Sequence, residues 1–144
     1  MVDTRATSKL DIQKFIRTIR IPLALELING TANWLLRDNS AGAVLQTFDI
    51  VTIIATVAIL FYLGWQVATA YEGRPLLKAA GMGLFVWFVS TVVFTGGIGF
   101  ALSLLSAPQS WGLTGPAVAF VLFAPAAAVV PMLGAFLRTR YRAG

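Results

Sequence analysis

Followed as apolar and polar positions, the chain falls into four long apolar stretches at about residues 21–36, 50–70, 79–105 and 116–137, parted by short polar or charged links. Crossing a hydrocarbon core of ~30 Å takes about twenty helical residues at ~1.5 Å each. The pattern therefore predicts an all-α integral membrane protein, a bundle of four transmembrane helices making one domain over 21–137. Ahead of it, Leu10, Ile12, Phe15, Ile16 and Ile19 fall on one side of a helix, and Asp11, Gln13, Lys14, Arg17 and Arg20 on the other. Ser8 with Asp11 has the form of a capping box. Residues 1–20 read either as a cytoplasmic segment whose short amphipathic helix lies in the headgroup layer, or as an extension of the first span with snorkelling arginines. Pro22 suits the first turn of that span.

The first stretch is the least typical. Its sixteen residues reach only ~24 Å, so it must borrow residues from Phe15 onward or thin the bilayer, and a re-entrant segment is the competing expectation. The second, Ile50 to Ala70, is the clearest; it follows a less committed lead-in over Ala41 to Phe48 and closes at Tyr71-Glu72-Gly73-Arg74-Pro75 with a turn signal. The third is rich in glycine, and the fourth holds Pro125 and Pro131, each removing a backbone hydrogen bond and favouring a kink. Residues 138–144 are expected to be a basic tail.

Charge orients this arrangement. Of the eleven Lys and Arg residues, all but Arg37 fall on one side once the four stretches are threaded through a membrane. They cluster before the first span, at Arg74 and Lys78, and at Arg138, Arg140 and Arg142. Cytoplasmic flanks collect such residues, so both termini are expected in the cytoplasm, with a bacterial or archaeal cytoplasmic membrane as the host. Three crossings with a surface first segment is the alternative, and it would put the amino-terminal cations on the opposite face. A content of 58% hydrophobic and 12% charged residues lies outside the soluble range. The net charge of +5 flanks apolar spans instead of forming a soluble basic face, which points to anionic lipid headgroups as partner and away from nucleic acid. Basic residues before the first stretch, with Ala41-Gly42-Ala43 after it, imitate a signal peptide, but Glu26, Asn29 and Asn33 interrupt the apolar core, and the segment is expected to be kept.

The chain contains no cysteine and no histidine, which removes thiolate chemistry, the usual zinc and haem ligands and the commonest neutral-pH base. It carries no phosphate-binding loop, and Gly81-x-Gly83 follows no strand and lacks the third glycine of a dinucleotide fingerprint. No catalytic residue, metal site or cofactor is indicated, and the chain is not expected to be an enzyme. What remains is polar groups inside the membrane. Glu26, Asn29, Asn33 and Arg37 recur at i, i+3, i+7 and i+11, a single stripe that must face protein or water. Asp49 joins it as a possible partner of Arg37; with the lead-in inserted, Gln46, Asp49, Thr52 and Thr56 would form a second stripe facing the first across an antiparallel helix pair. Counted from Arg20, Glu26 lies ~9 Å along the helix, in the inner half of the bilayer, so a pathway through it should open toward the cytoplasm.

Small residues four apart, Gly64 with Ala68, Gly97 with Ala101 and Gly99 with Ser103, are candidates for close helix packing. Trp34 and Trp111 fall near the outer boundary and Tyr71 and Tyr141 near the inner one, as interface anchors do, while Trp65 and Trp87 lie deeper. Together these features point to a non-catalytic accessory or scaffolding subunit of a larger membrane assembly, bound to other subunits or to itself. The alternative is a small homo-oligomeric, proton- or cation-coupled transporter or channel that uses Glu26.

Overall fold

The computed structural model describes residues 4–38, 43–93 and 114–143, with side chains over 11–32, 50–93 and 122–142. Among them it is all-helical, with four helices: α1 (Thr4–Asp38), α2 (Ala43–Ala70), α3 (Pro75–Val92) and α4 (Thr114–Ala143). Three stretches are long and apolar enough to cross a membrane, Ile50–Ala70, Pro75–Val92 and Leu122–Arg142, with mean hydropathies of 2.1, 1.5 and 1.5. Helix α1, which carries Arg17, Arg20 and Glu26 along its packed length, is not one of them.

No break separates an interfacial helix from a first span. Pro22 lies inside α1 and is buried. It deletes one backbone bond, to the Thr18 carbonyl, and the helix survives because its packed face runs through it in register. Phe15, Ile19, Pro22 and Glu26 recur at i, i+4, i+7 and i+11 and turn inward, while Ile12, Ile16, Ile21, Leu25 and Ile28 stay exposed on the other side. The 35 residues extend ~52 Å as one long helix, the arrangement of the extension reading and not of a separate short helix.

Other boundaries shift for local reasons. Helix α2 starts at Ala43, absorbing the lead-in. Helix α3 starts at Pro75, earlier than the expected 79, because proline at the first helical position has no amide to leave unpaired. Its preceding residue, Arg74, takes up a left-handed conformation, φ 51° and ψ 54°, and its carbonyl accepts from the Lys78 amide at 3.2 Å. Helix α4 continues through the expected tail to Ala143 and past both prolines. The expected end of the third span, with Gly97, Gly99, Ala101 and Ser103, lies outside the described residues.

Helices α2 and α3 each touch all three others; α4 lies along both of them, and α1 lies mainly on α2. Backbones approach most closely on α4. A Cβ built on Gly64 would stand 2.6 Å from the Pro131 carbonyl carbon and closer to its oxygen, and one on Gly134 would run into the Phe61 carbonyl. A Cβ on Gly83 would meet the Ala127 oxygen and lie 2.5 Å from Pro131 Cγ. That oxygen is the acceptor left without its i+4 amide by Pro131, so the glycine lets α3 press weak C–H donors against it. Leu63, Val67, Val86 and Ala135 fill the space around these crossings.

The three basic clusters come to one end of the bundle. The ammonium groups of Lys14 and Lys78 lie 4.8 and 4.6 Å from the Tyr71 ring centre, and the Arg138 guanidinium lies 5.0 Å from that of Trp65. Burial and the nearby Asp11 carboxylate raise the pKa of the Tyr71 phenol, against a hydrogen bond with Thr18.

Candidate functional site

Of the three acidic side chains the structure describes, Asp11 and Glu72 are exposed and Glu26 is buried, with 5% of its surface accessible. Helix α1 carries it inward on the Phe15–Pro22 face, against α2 running antiparallel. Thr56 Oγ1 donates to Glu26 Oε1 at 2.9 Å and accepts from Asn29 Nδ2 at 3.1 Å. The same Asn29 amide lies 3.2 Å from the Thr52 carbonyl oxygen. Three side chains thus form a directed chain, Asn29 to Thr56 to Glu26, that fixes one carboxylate oxygen. The other, Oε2, is buried with no hydrogen-bond partner in the structure. Leaving a buried polar atom unpaired costs ~1–3 kcal/mol, more for a charged group.

That carboxylate borders a cavity of about 440 Å³ to which all four helices contribute. Its polar lining from α1 and α2 is the network just described, and α3 adds Trp87, Ser90 and Thr91. The Ser90 hydroxyl donates to the Trp87 carbonyl at 3.1 Å, whereas the indole Nε1 is buried and unpartnered. Phe123 of α4 meets the Trp87 ring edge-to-face, with centres 6.1 Å apart and planes at 61°. Leu60, Ala127 and Val130 complete an otherwise apolar wall. Ile53, Val57 and Phe123 belong both to the wall and to the outer surface of the bundle, about half exposed. The described lining therefore opens on the apolar flank of the bundle.

Of the residues singled out in the sequence, Glu26 and Asn29 come together, and they face Thr52 and Thr56 as the antiparallel arrangement requires. The side chains of Asn33, Arg37 and Asp49 lie outside the described ones, as does any pairing between the last two. Gly64 and Ala68 are buried at the α2–α4 crossing, away from the cavity. The expected depth of Glu26 changes. It is level with Thr56, six residues from Ile50 and fourteen from Ala70, so it lies nearer the end of the apolar stretch remote from the basic clusters. Trp87, placed deep in the third stretch by the sequence, is a wall residue, as are Phe123 and Ser90, which periodicity alone does not single out, since an apolar span is expected to hold such side chains in its core. Among the described residues no group of three acidic side chains comes together to hold a metal ion. Comparison with protein-family models, with curated proteins and with solved structures finds no match, so only the geometry bears on function.

Proposed function

We propose that the chain crosses the membrane four times, with both termini on the cytoplasmic side, and is a small transporter or channel that moves a proton by way of Glu26, the cavity serving as part of the transport path. The observation that carries this is the Glu26 carboxylate: one oxygen oriented by Thr56, the other unpartnered, on the wall of a cavity inside the bundle. An ionisable group at such a place is costly to keep and is commonly part of a pathway. Four crossings are supported by α1 lying along α2 with its cations at the same end as the other two clusters; a surface segment would have put them elsewhere. Excess Lys and Arg at that end assigns it to the cytoplasm. A partner-seeking polar face favoured the accessory-subunit expectation, but Asn29, Thr56 and Glu26 Oε1 find their partners within the chain.

Proton flux tests the proposal. The purified protein is reconstituted into vesicles of phosphatidylethanolamine and phosphatidylglycerol loaded with pyranine, and a potassium diffusion potential is applied. The expected result is potential-driven pH change above protein-free vesicles, lost in Glu26→Gln. Equal flux in the variant removes Glu26 from the path, and no flux in the unmutated protein overturns the proposal.

A further inference from the structure

Two buried polar atoms on residues that line the cavity have no partner, and they are of opposite kinds: Glu26 Oε2, and the indole N–H of Trp87, which can only donate. An inorganic cation fits them poorly. Sodium or potassium would need several oxygens in place of its water shell, yet the Thr56 hydroxyl proton and the Asn29 amide are already engaged, the Ser90 hydroxyl is turned to its own helix, and the remaining wall is mostly aliphatic or aromatic. An organic ammonium would pair with Oε2 only while the carboxyl is ionised, and the positive edge of the indole would face it. A neutral group that both donates and accepts has neither fault. It gives a hydrogen to Oε2 when Glu26 is ionised, takes one when Glu26 is protonated, and accepts from the Trp87 N–H in both states.

We infer that the cavity binds a lipid-soluble, uncharged molecule with a compact apolar body and a single hydroxyl or primary amide head, the head held between Glu26 Oε2 and Trp87 Nε1. This rests on the cavity serving transport, as proposed above, and names the class of solute. Its body lies against Leu60, Val130 and the edge-to-face pair of Trp87 and Phe123. The mouth at Ile53, Val57 and Phe123 suits entry from the bilayer, because an apolar body arriving there exchanges one apolar contact for another.

A matched set of fluorescent probes on one flat skeleton tests the class: 1-pyrenemethanol, 1-pyrenemethylammonium and 1-methylpyrene. Each is titrated into the full chain in lipid nanodiscs, with protein-free nanodiscs as the partition control, and pyrene emission sensitised by tryptophan reports binding. Trp34, Trp65 and Trp111 remain as donors in Trp87→Phe, so affinity is readable in every variant. The alcohol should bind saturably and about tenfold tighter than either relative, and Glu26→Leu and Trp87→Phe should each weaken it about tenfold, or ~1.4 kcal/mol. The unmutated protein alone decides the ranking, even if a variant fails to fold. If the ammonium binds tightest, or the three bind alike while proton flux still depends on Glu26, the neutral class is overturned and the transport reading stands. If the ranking and the Glu26-dependent flux are both absent, both fall.

Discussion

Replacing Gly64 with alanine adds one methyl group where two backbones already touch. The new Cβ would stand 2.6 Å from the carbonyl carbon of Pro131 and 2.8 Å from its Cα, and nearer still to its oxygen. Carbon atoms settle at ~3.5–4.0 Å, so α2 and α4 must part by ~1 Å or more. No side-chain tip can swing away, because every atom in the way is backbone. The displacement also loosens the mirror contact, where Gly134 lies against the Phe61 carbonyl, and unpacks Leu63, Val67 and Ala135 between them. Overpacking costs ~1–3 kcal/mol, and a backbone-on-backbone clash belongs at the top of that range. Alanine's better helix propensity returns ~1 kcal/mol, leaving a net loss of ~2 kcal/mol. Gly81 on α3 supplies the control, since a Cβ there meets nothing within 4 Å and Gly81→Ala should gain up to ~1 kcal/mol. Tryptophan fluorescence during titration of dodecyl maltoside micelles with SDS gives both unfolding free energies. If Gly64→Ala proves as stable as Gly81→Ala, the close α2–α4 crossing does not exist.

Two further perturbations address the carboxylate network and the α2–α3 turn. In a double-mutant cycle, Thr56→Val and Glu26→Leu should be coupled by ~0.5–1.5 kcal/mol, the range found for hydrogen bonds between membrane helices; costs that simply add would mean the 2.9 Å contact carries no energy. At Arg74, whose φ of 51° suits residues without a branched Cβ, Arg74→Gly should unfold at or above the unmutated midpoint and Arg74→Val should lose ~1 kcal/mol; equal stabilities would exclude the left-handed turn.

The helices were legible because each apolar stretch is long and bounded by charge or turn residues, and the common end of the basic clusters followed from the alternating direction of the helices. Boundaries were less legible, since Pro22 was given too much weight as a helix start. It is buried inside an unbroken helix, as is Pro131 inside the fourth, where the sequence places it. Each deletes one bond of a long ladder, and packing outweighs that when the inward face continues in register on both sides. Glycine spacing within a helix picked out Gly64 with Ala68, both buried, but not Gly83 or Gly134. The described close contacts pair Gly64, Gly83 and Gly134 with backbone on other helices, a relation that depends on interhelical register and leaves no period in the sequence.

The depth of Glu26 has the same origin. Counting from Arg20 treats the last cation as the membrane boundary, yet a long arginine can reach back toward the interface from a deeper Cα. Tyr71 lies just past the end of α2, with Lys14 against its ring. Glu26 is twelve residues beyond Lys14, or ~18 Å along α1. Its partner Thr56, fourteen residues from Ala70, puts it at a similar level by an independent path along α2. Among the described residues no cation pairs with this carboxylate. In the binding we propose, the unpartnered oxygen and the unpartnered indole N–H, which no reading of α1 alone could bring together, are what the cavity offers a polar head.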